Sequence, residues 1–121
     1  MSSSYAAWRA RLAEANDPAF WPIEAIDALL LAGEAHFWGD DNGALVTRLN
    51  TYPGGAVAVE AVAAAGTIEG LKDTITPAVE RWARLHGCTH LLIAGRAGWA
   101  RVHSDWRHHQ SILIKDLADG L

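Results

Sequence analysis

The sequence predicts a mixed α/β fold in a single domain. Two helical stretches come first, three short strands separated by turn signals follow, and a helix-strand-helix-strand order closes the chain. Strands joined by short turns form an antiparallel meander, whereas a strand reached through a helix can pair in parallel. Together these observations indicate one mixed sheet covered by helices.

The first two predicted elements are helices. Ser4 is placed to cap a helix over residues 5–15, and the Asn-Asp-Pro run at 16–18 ends that helix. A second helix is expected over residues 23–31, where apolar residues form a stripe, and Gly33 is suited to end it.

Three strands form the middle of the chain. They are expected over residues 35–38, 44–51 and 56–63. The runs Gly-Asp-Asp-Asn-Gly at 39–43 and Tyr-Pro-Gly-Gly at 52–55 are strong turn signals between them. The many alanines of the third strand predict close packing on both faces, as in a central strand.

The meander is expected to end in the stretch Gly66–Gly70. A helical stretch then runs to Leu85, with Pro77 either starting its main part or kinking it, and Gly87 caps its end. The remaining expected elements are a strand at 89–94, a short helix at 96–103 and a final strand at 109–115.

Length and composition indicate one domain over residues 1–121, with an N-terminal helix and connection at 1–20 and a tail at 116–121. The net charge of -4 argues against general nucleic-acid binding. The single cysteine, Cys88, excludes an internal disulfide and is expected to be a buried structural thiol. No secretory signal or membrane-spanning run is visible, so we expect cytoplasmic synthesis and no membrane partner.

The C-terminal region combines cations with aromatic residues. Residues 61–121 hold seven of the ten lysines and arginines, and six tryptophans are spread along the chain. Trp99 with Arg96, and Trp106 with Arg107, are the expected anchors of a protein–protein contact, since these residue types dominate such contacts. The alternatives are a core role for each tryptophan and a solvated face for the arginines.

Histidines are also concentrated in this region. His103, His108 and His109 suggest a metal site, but adjacent side chains on a strand point to opposite faces, so His108 and His109 do not readily share one ion. No cysteine or carboxylate cluster completes a ligand set, and we expect no metal site.

Several short stretches carry a resemblance to a known family. They are Gly43-Ala-Leu-Val46, Tyr52-Pro53, Trp82-Ala83-Arg84 through Gly87-Cys88, and Gly95-Arg96-Ala97-Gly98-Trp99. With the order of elements over roughly Ile23 to Leu117, the chain resembles the GNAT superfamily of N-acetyltransferases. More narrowly, it resembles the short GNAT-like proteins encoded by tailed bacteriophages.

The resemblance implies where a cofactor would bind. In the enzyme family a Gln/Arg-x-x-Gly-x-Gly loop holds the pyrophosphate of acetyl-CoA at a helix start. The stretch 63–70 takes that place here, and the resemblance implies a cofactor site made of Gly66, Thr67, Gly70 and Lys72. The glycine spacing differs from the family's, no Arg or Gln leads in, and Glu69 adds negative charge, so we expect no cofactor.

The resemblance also implies two catalytic positions. Glu60 in the third strand is the best-placed general base if it points into a cleft, and a surface charge if it points outward. His103 stands where the family commonly has a tyrosine acid and is able to donate a proton near neutral pH; the alternative is an exposed surface histidine.

We therefore expect a phage-encoded, degenerate acetyltransferase-fold protein that acts by binding other virion proteins or itself, and that is incorporated into a virion. The alternative is an active N-acetyltransferase that moves an acetyl group from acetyl-CoA to an amine, with Glu60 as base and His103 as acid. A third possibility is a small regulator that binds a host protein.

Overall fold

The computed structural model describes residues 4–93, 105–107 and 115–117. The helices are α1 (Tyr5–Ala15), α2 (Ile23–Leu31), α3 (Ile68–Gly70) and α4 (Thr76–Leu85), with a π-helical turn at Leu71–Ile75 between the last two. The strands are β1 (His36–Gly39), β2 (Gly43–Thr51), β3 (Val57–Gly66) and β4 (His90–Ile93). The helix expected at 96–103 lies outside the described residues, as does the strand expected at 109–115 except for Lys115.

Both N-terminal helices have the bounds that the sequence predicts. Ser4 caps α1, because its Oγ accepts a hydrogen bond from the backbone N–H of Ala7 at 3.4 Å. Gly33 follows α2 with φ +75°, the left-handed conformation that commonly ends a helix. No helix within the described residues is long and apolar enough to cross a membrane.

The four described strands form one mixed sheet in the order β1-β2-β3-β4. The first three pair antiparallel, and β3 pairs with β4 in parallel, which confirms the predicted meander and the predicted parallel crossover. Three strands begin and end within one residue of their predicted bounds. The exception is β3, which continues past Ala63 to Gly66 because its last residues pair with the start of β2.

A β-bulge interrupts β3. Val46 pairs with Ala63 and Thr47 pairs with Ala61, so Val62 is an extra residue without a partner in β2. The carbonyl of Val62 accepts a hydrogen bond of 3.2 Å from the side chain of Asn16, at the end of α1. The bulge is therefore fixed by a contact from the helical layer.

A helical stretch follows β3 and runs to Leu85, as the sequence predicts, and it begins at Ile68. Thr67 caps it, its Oγ1 accepting from the N–H of Gly70, and the chain is helical from Ile68. The backbone N–H of Thr76 donates to the carbonyl of Leu71, five residues back, which makes a π-helical turn just before Pro77. Pro77 lies in the first turn of α4, where a proline is tolerated because its missing N–H has no partner to lose. The wider π-helical turn lies directly before it.

The sheet separates two hydrophobic cores. Helices α1 and α2 cover one face and α4 covers the other, so neighbouring residues of β2, such as Leu45 and Val46, enter different cores. The first core contains Trp8, Leu12, Ile26, Ala35, Ala44, Val46 and Ala63. The second contains Leu45, Val59, Leu71, Ile75, Val79 and Ala83.

A polar clamp joins α1 to α2. Arg9 donates to both carboxylate oxygens of Asp27, with Nη2 2.6 Å from Oδ2, and the hydroxyl of Tyr5 donates to Oδ1 at 2.5 Å. The hydrogen bonds from Arg9 and then Tyr5 lower the pKa of Asp27. Burial, followed by the bond to Asp27, raises the pKa of Tyr5 above its ordinary value.

The clamp predicts a pH-dependent stability. Because the folded-state pKa of Asp27 lies below the ordinary value of 3.8, the stabilisation is present above that pH and is lost as the pH falls through the folded-state pKa. We expect Asp27→Asn to melt at a lower temperature than wild type near neutral pH and at the same temperature in acid. Thermal melts followed by circular dichroism across that range measure the difference. Identical melting near neutral pH would contradict a stabilising role of the clamp.

Candidate functional site

The stretch that the resemblance assigns to a cofactor packs closely against the turn between β1 and β2. A Cβ added to Gly66, which has φ +109°, would lie 2.4 Å from the carbonyl oxygen of Asn42. One added to Gly70 would lie 2.8 Å from the Cβ of Asn42. Both glycines are therefore explained by the approach of another backbone segment.

Two donors at this helix start are already used. The backbone N–H of Thr67 donates to the carbonyl of Asn42 at 2.9 Å, and the N–H of Gly70 donates to Oγ1 of Thr67 at 2.9 Å. A pyrophosphate cradle needs such N–H groups to point at the ligand. Gly66, Thr67 and Gly70 thus pack on the β1–β2 turn, and the N–H groups of Thr67 and Gly70 do not point outward at a ligand.

The turn is held by its own Asp40 and by a residue of α1. The carboxylate of Asp40 accepts from the N–H groups of Asn42 and Gly43 at 2.8 and 3.0 Å. The backbone carbonyl of Asp40 accepts at 3.0 Å from Nε1 of Trp8, a core residue of α1. A rigid chain of contacts therefore runs from α1 through the turn to the start of α3.

The cation expected near this loop is Lys72, in the π-helical turn. Its Nζ lies 3.6 Å from Oδ1 of Asp73, and both side chains are about half exposed. Glu69 is exposed one turn earlier, so acidic groups flank the lysine. The local charge offers little attraction for phosphates.

Glu60 lies on the face of the sheet that α1 and α2 cover, two residues before the bulge. The side chain of Asn50 donates to Oε1 of Glu60, and the hydroxyl of Tyr52 donates to Oε2. Arg48, its cross-strand neighbour, brings Nε to 3.9 Å from Oε1. The Glu60 side chain is 18% exposed, and both of its oxygens already accept a hydrogen bond.

The neighbours of Glu60 were not identified from the sequence. Arg48 lies over the ring of Trp21 at 4.9 Å, and its Nε is buried without a hydrogen-bond acceptor among the described residues. Donation to Glu60 raises the pKa of Tyr52, so this hydroxyl stays protonated at neutral pH. Alternation along β2 predicts that Arg48 and Asn50 share one face of the sheet. Their contact with Glu60 follows only when the register between β2 and β3 is also known.

A cavity of about 500 Å³ opens at the other end of the sheet. Its walls come from the last turns of α4, the first residues of β4 and Tyr52, and they include Trp106 and Arg107. Gly66 is the last residue of β3, whereas this cavity adjoins the strand starts at Val57 and His90. The cavity and the predicted cofactor loop are therefore separate places.

The other predicted site residues are distributed unevenly. Trp106 is half-buried and Arg107 is exposed, and both line the cavity. Arg96, Trp99 and His103 lie outside the described residues. Within the described ranges no group of three or more His, Cys, Asp or Glu side chains is arranged to hold a metal ion. Cys88, expected to be buried, is half-buried on the cavity wall.

Comparison with known proteins adds a structural relative. No protein-family model matches the chain, and no curated protein matches its sequence. Among solved structures, the fold is similar to that of an acetyltransferase from Trypanosoma brucei, with a TM-score of 0.62 and 13% sequence identity. The match covers 92% of this chain and 89% of that one. At this identity the likeness shows the fold: the chain has a GNAT-like, acetyltransferase-like fold, as predicted.

Proposed function

We propose that this chain is a phage-encoded, degenerate acetyltransferase-fold protein that binds a protein partner as a virion component or a virion-associated one. The observation that carries the proposal is the packing of Gly66 and Gly70 on Asn42. The β1–β2 turn occupies the space beside these glycines, and the N–H of Thr67 donates to the carbonyl of Asn42 in that turn.

Opening that helix start would have a structural cost. Asn42 belongs to a turn whose backbone is bound by Asp40 and, through Asp40, by Trp8 in the core. Moving the turn away from Gly66 would break the hydrogen bonds that join it to its neighbours, from Nε1 of Trp8 to the carbonyl of Asp40 and from the N–H of Thr67 to the carbonyl of Asn42. Each such bond contributes about 1 kcal/mol. This cost favours a permanent structural contact between the β1–β2 turn and the helix start over a loop that opens to bind a ligand.

The state of Glu60 supports the same proposal. A general base must reach the proton that it removes, and hydrogen bonds that hold its carboxylate within a cluster limit that reach. In Glu60, Asn50 and Tyr52 each donate to one carboxylate oxygen, and the side chain is 18% exposed. The cluster holds β2 to β3 and satisfies both oxygens of a partly buried carboxylate.

The residues that line the cavity support the proposed protein-binding role. Trp106 and Arg107, expected to be contact anchors, are brought together with Tyr52 around one concave surface. Tryptophan, tyrosine and arginine are the residue types that contribute most to protein–protein affinity. The phage origin rests on the resemblance of the short stretches around Arg96 and Trp99.

Purified particles of the phage that carries the gene test this role. We expect mass spectrometry to find the chain in particles, and we expect Arg107→Ala to deplete it there without lowering its level in the lysate. Arg81→Ala, an exposed arginine of α4 outside the cavity wall, is the matched control. A chain that is absent from particles, or one that Arg107→Ala leaves fully incorporated, would overturn the proposal.

An active N-acetyltransferase is the second candidate. It is favoured by the likeness to a solved acetyltransferase over 92% of the chain, and by the position of Glu60 two residues before the bulge at Val62. If it were correct, Glu60→Gln would abolish acetyl transfer to amine substrates, whereas Glu34→Gln, an exposed carboxylate before β1, would not. We expect no transfer above background with either variant or with wild type.

A further inference from the structure

The cavity has the size and lining of a small-molecule site. Its volume of about 500 Å³ lies within the usual range for ligand pockets. Leu91 and Leu92 of β4 and Ala83 of α4 supply apolar walls, and Trp106 adds an aromatic ring. A compact apolar group of a ligand can therefore be buried from water in this cavity.

The charged groups on the wall fall into two sets. Arg84 and Glu80 bind each other, with Nη2 3.0 Å from Oε2, and offset each other's charge. Asp105 and Arg107 are both exposed on the wall, and in the described part of the chain neither forms an ion pair or hydrogen bond. An anion and a cation, two residues apart, are thus available to a ligand.

His90 adds a third polar group with a defined orientation. Its Nδ1 lies 2.7 Å from Oγ1 of Thr89, and that hydroxyl is fixed to the backbone of Val57, accepting from its N–H at 2.9 Å. With Nδ1 engaged, Nε2 is the ring nitrogen that remains for a ligand. The imidazole therefore stands beside the cavity as an oriented polar group.

These groups define the charge of a matching ligand. A ligand with only a negative charge would pair with Arg107 but be repelled by Asp105. A ligand with only a positive charge would pair with Asp105 but be repelled by Arg107. A molecule with both charges satisfies both side chains, and its apolar body covers Leu91 and Ala83, which lie on the same side of the sheet. This combination is that of a free apolar α-amino acid.

We propose that the cavity binds an apolar α-amino acid or a close zwitterionic analogue. The ammonium group pairs with Asp105, the carboxylate pairs with Arg107 and His90, and the side chain packs on Leu91, on the face of β4 that α4 covers. This site is separate from the predicted cofactor loop and goes beyond the protein-binding role.

Three probes of one shape test the charge requirement. L-leucine carries both charges, 4-methylpentanoic acid carries the carboxylate alone, and 3-methylbutylamine carries the ammonium alone. We expect saturable binding of L-leucine in titrations followed by NMR, and binding of the other two that is weaker by about ten-fold or more, because each lacks one charge-assisted hydrogen bond. No saturable binding of L-leucine, or equal binding of all three, would overturn the proposal.

Two variants then test which side chain binds which charged group of the ligand. In Arg107→Gln the preference for L-leucine over 3-methylbutylamine is expected to shrink, since only His90 then binds the carboxylate, and in Asp105→Asn L-leucine is expected to bind no better than 4-methylpentanoic acid. Arg81→Gln, outside the cavity wall, retains wild-type binding. All of these side chains are exposed, so the variants are expected to fold. L-leucine binding that survives both variants unchanged would reject this site. The titrations use the isolated chain, so their result is independent of incorporation into particles.

Discussion

Replacing Gly66 with alanine is expected to lower the free energy of unfolding by roughly 3 kcal/mol, combining backbone strain with overpacking. The residue has φ +109°, which side-chain-bearing residues rarely adopt. The new methyl group would also lie 2.4 Å from the carbonyl oxygen of Asn42 and 2.5 Å from the Cα of Gly43. Both neighbours are backbone atoms of an anchored turn, so neither moves aside cheaply.

Three other glycines separate these two causes. Gly55 has φ +96°, and no atom lies within 4 Å of the position of an added Cβ. Gly55→Ala therefore measures backbone strain alone, an expected loss of about 1 kcal/mol in the free energy of unfolding. Gly70 has φ -62° and contacts Asn42, so Gly70→Ala reports the clash, about 1 to 2 kcal/mol after the gain in helix propensity. Gly54 has neither feature, and Gly54→Ala is expected to stay within about 0.5 kcal/mol.

Urea unfolding of the five proteins measures the order. The loss should be largest for Gly66→Ala and smallest for Gly54→Ala. A Gly66→Ala variant as stable as Gly54→Ala would mean that the β1–β2 turn does not press on the helix start, and the structural explanation of these glycines would fail.

Leu12→Ala is expected to destabilise the protein by about 2 to 5 kcal/mol, the range for large-to-small changes in a closed core. Leu12 is 0% exposed and belongs to the core that α1 and α2 form with the sheet. The substitution removes apolar contacts and leaves a cavity that the sheet face cannot fill without moving.

Leu31→Ala is the matched control, because it is the same substitution at the end of α2 where the side chain is 92% exposed. We expect a change within about 0.5 kcal/mol there. Chemical denaturation of both variants and wild type gives the two values. Similar losses at both positions would contradict the placement of α1 on the sheet.

Local patterns were sufficient for most of the fold. The bounds of α1 and α2 follow from Ser4 as cap, the Asn-Asp-Pro break after α1 and Gly33. Dense turn signals separated the strands of the meander. The extension of β3 to Gly66 and the bulge at Val62 were not predicted, because both depend on which residues of β2 lie opposite. The helical stretch to Leu85, with its main part starting near Pro77, was predicted, whereas the π-helical turn ahead of Pro77 leaves no signal in local spacing.

The candidate site was less predictable, for a related reason. The sequence shows that the spacing of Gly66 and Gly70 is unusual for the resembled family, but their contact with Asn42 joins residues more than twenty positions apart. Likewise, Glu60 was identified as a carboxylate of interest, yet its partners on β2 and in the following turn follow only from strand register. Contacts between distant segments are set by the packing of the whole chain.

Calorimetric titration with acetyl-CoA tests the central claim, that the helix start after β3 is closed by the β1–β2 turn. The account predicts no saturable heat, meaning a Kd weaker than about 1 mM or about -4 kcal/mol. Saturable binding with a Kd near 1 μM, about -8 kcal/mol, would show that the helix start accepts the cofactor and would contradict it.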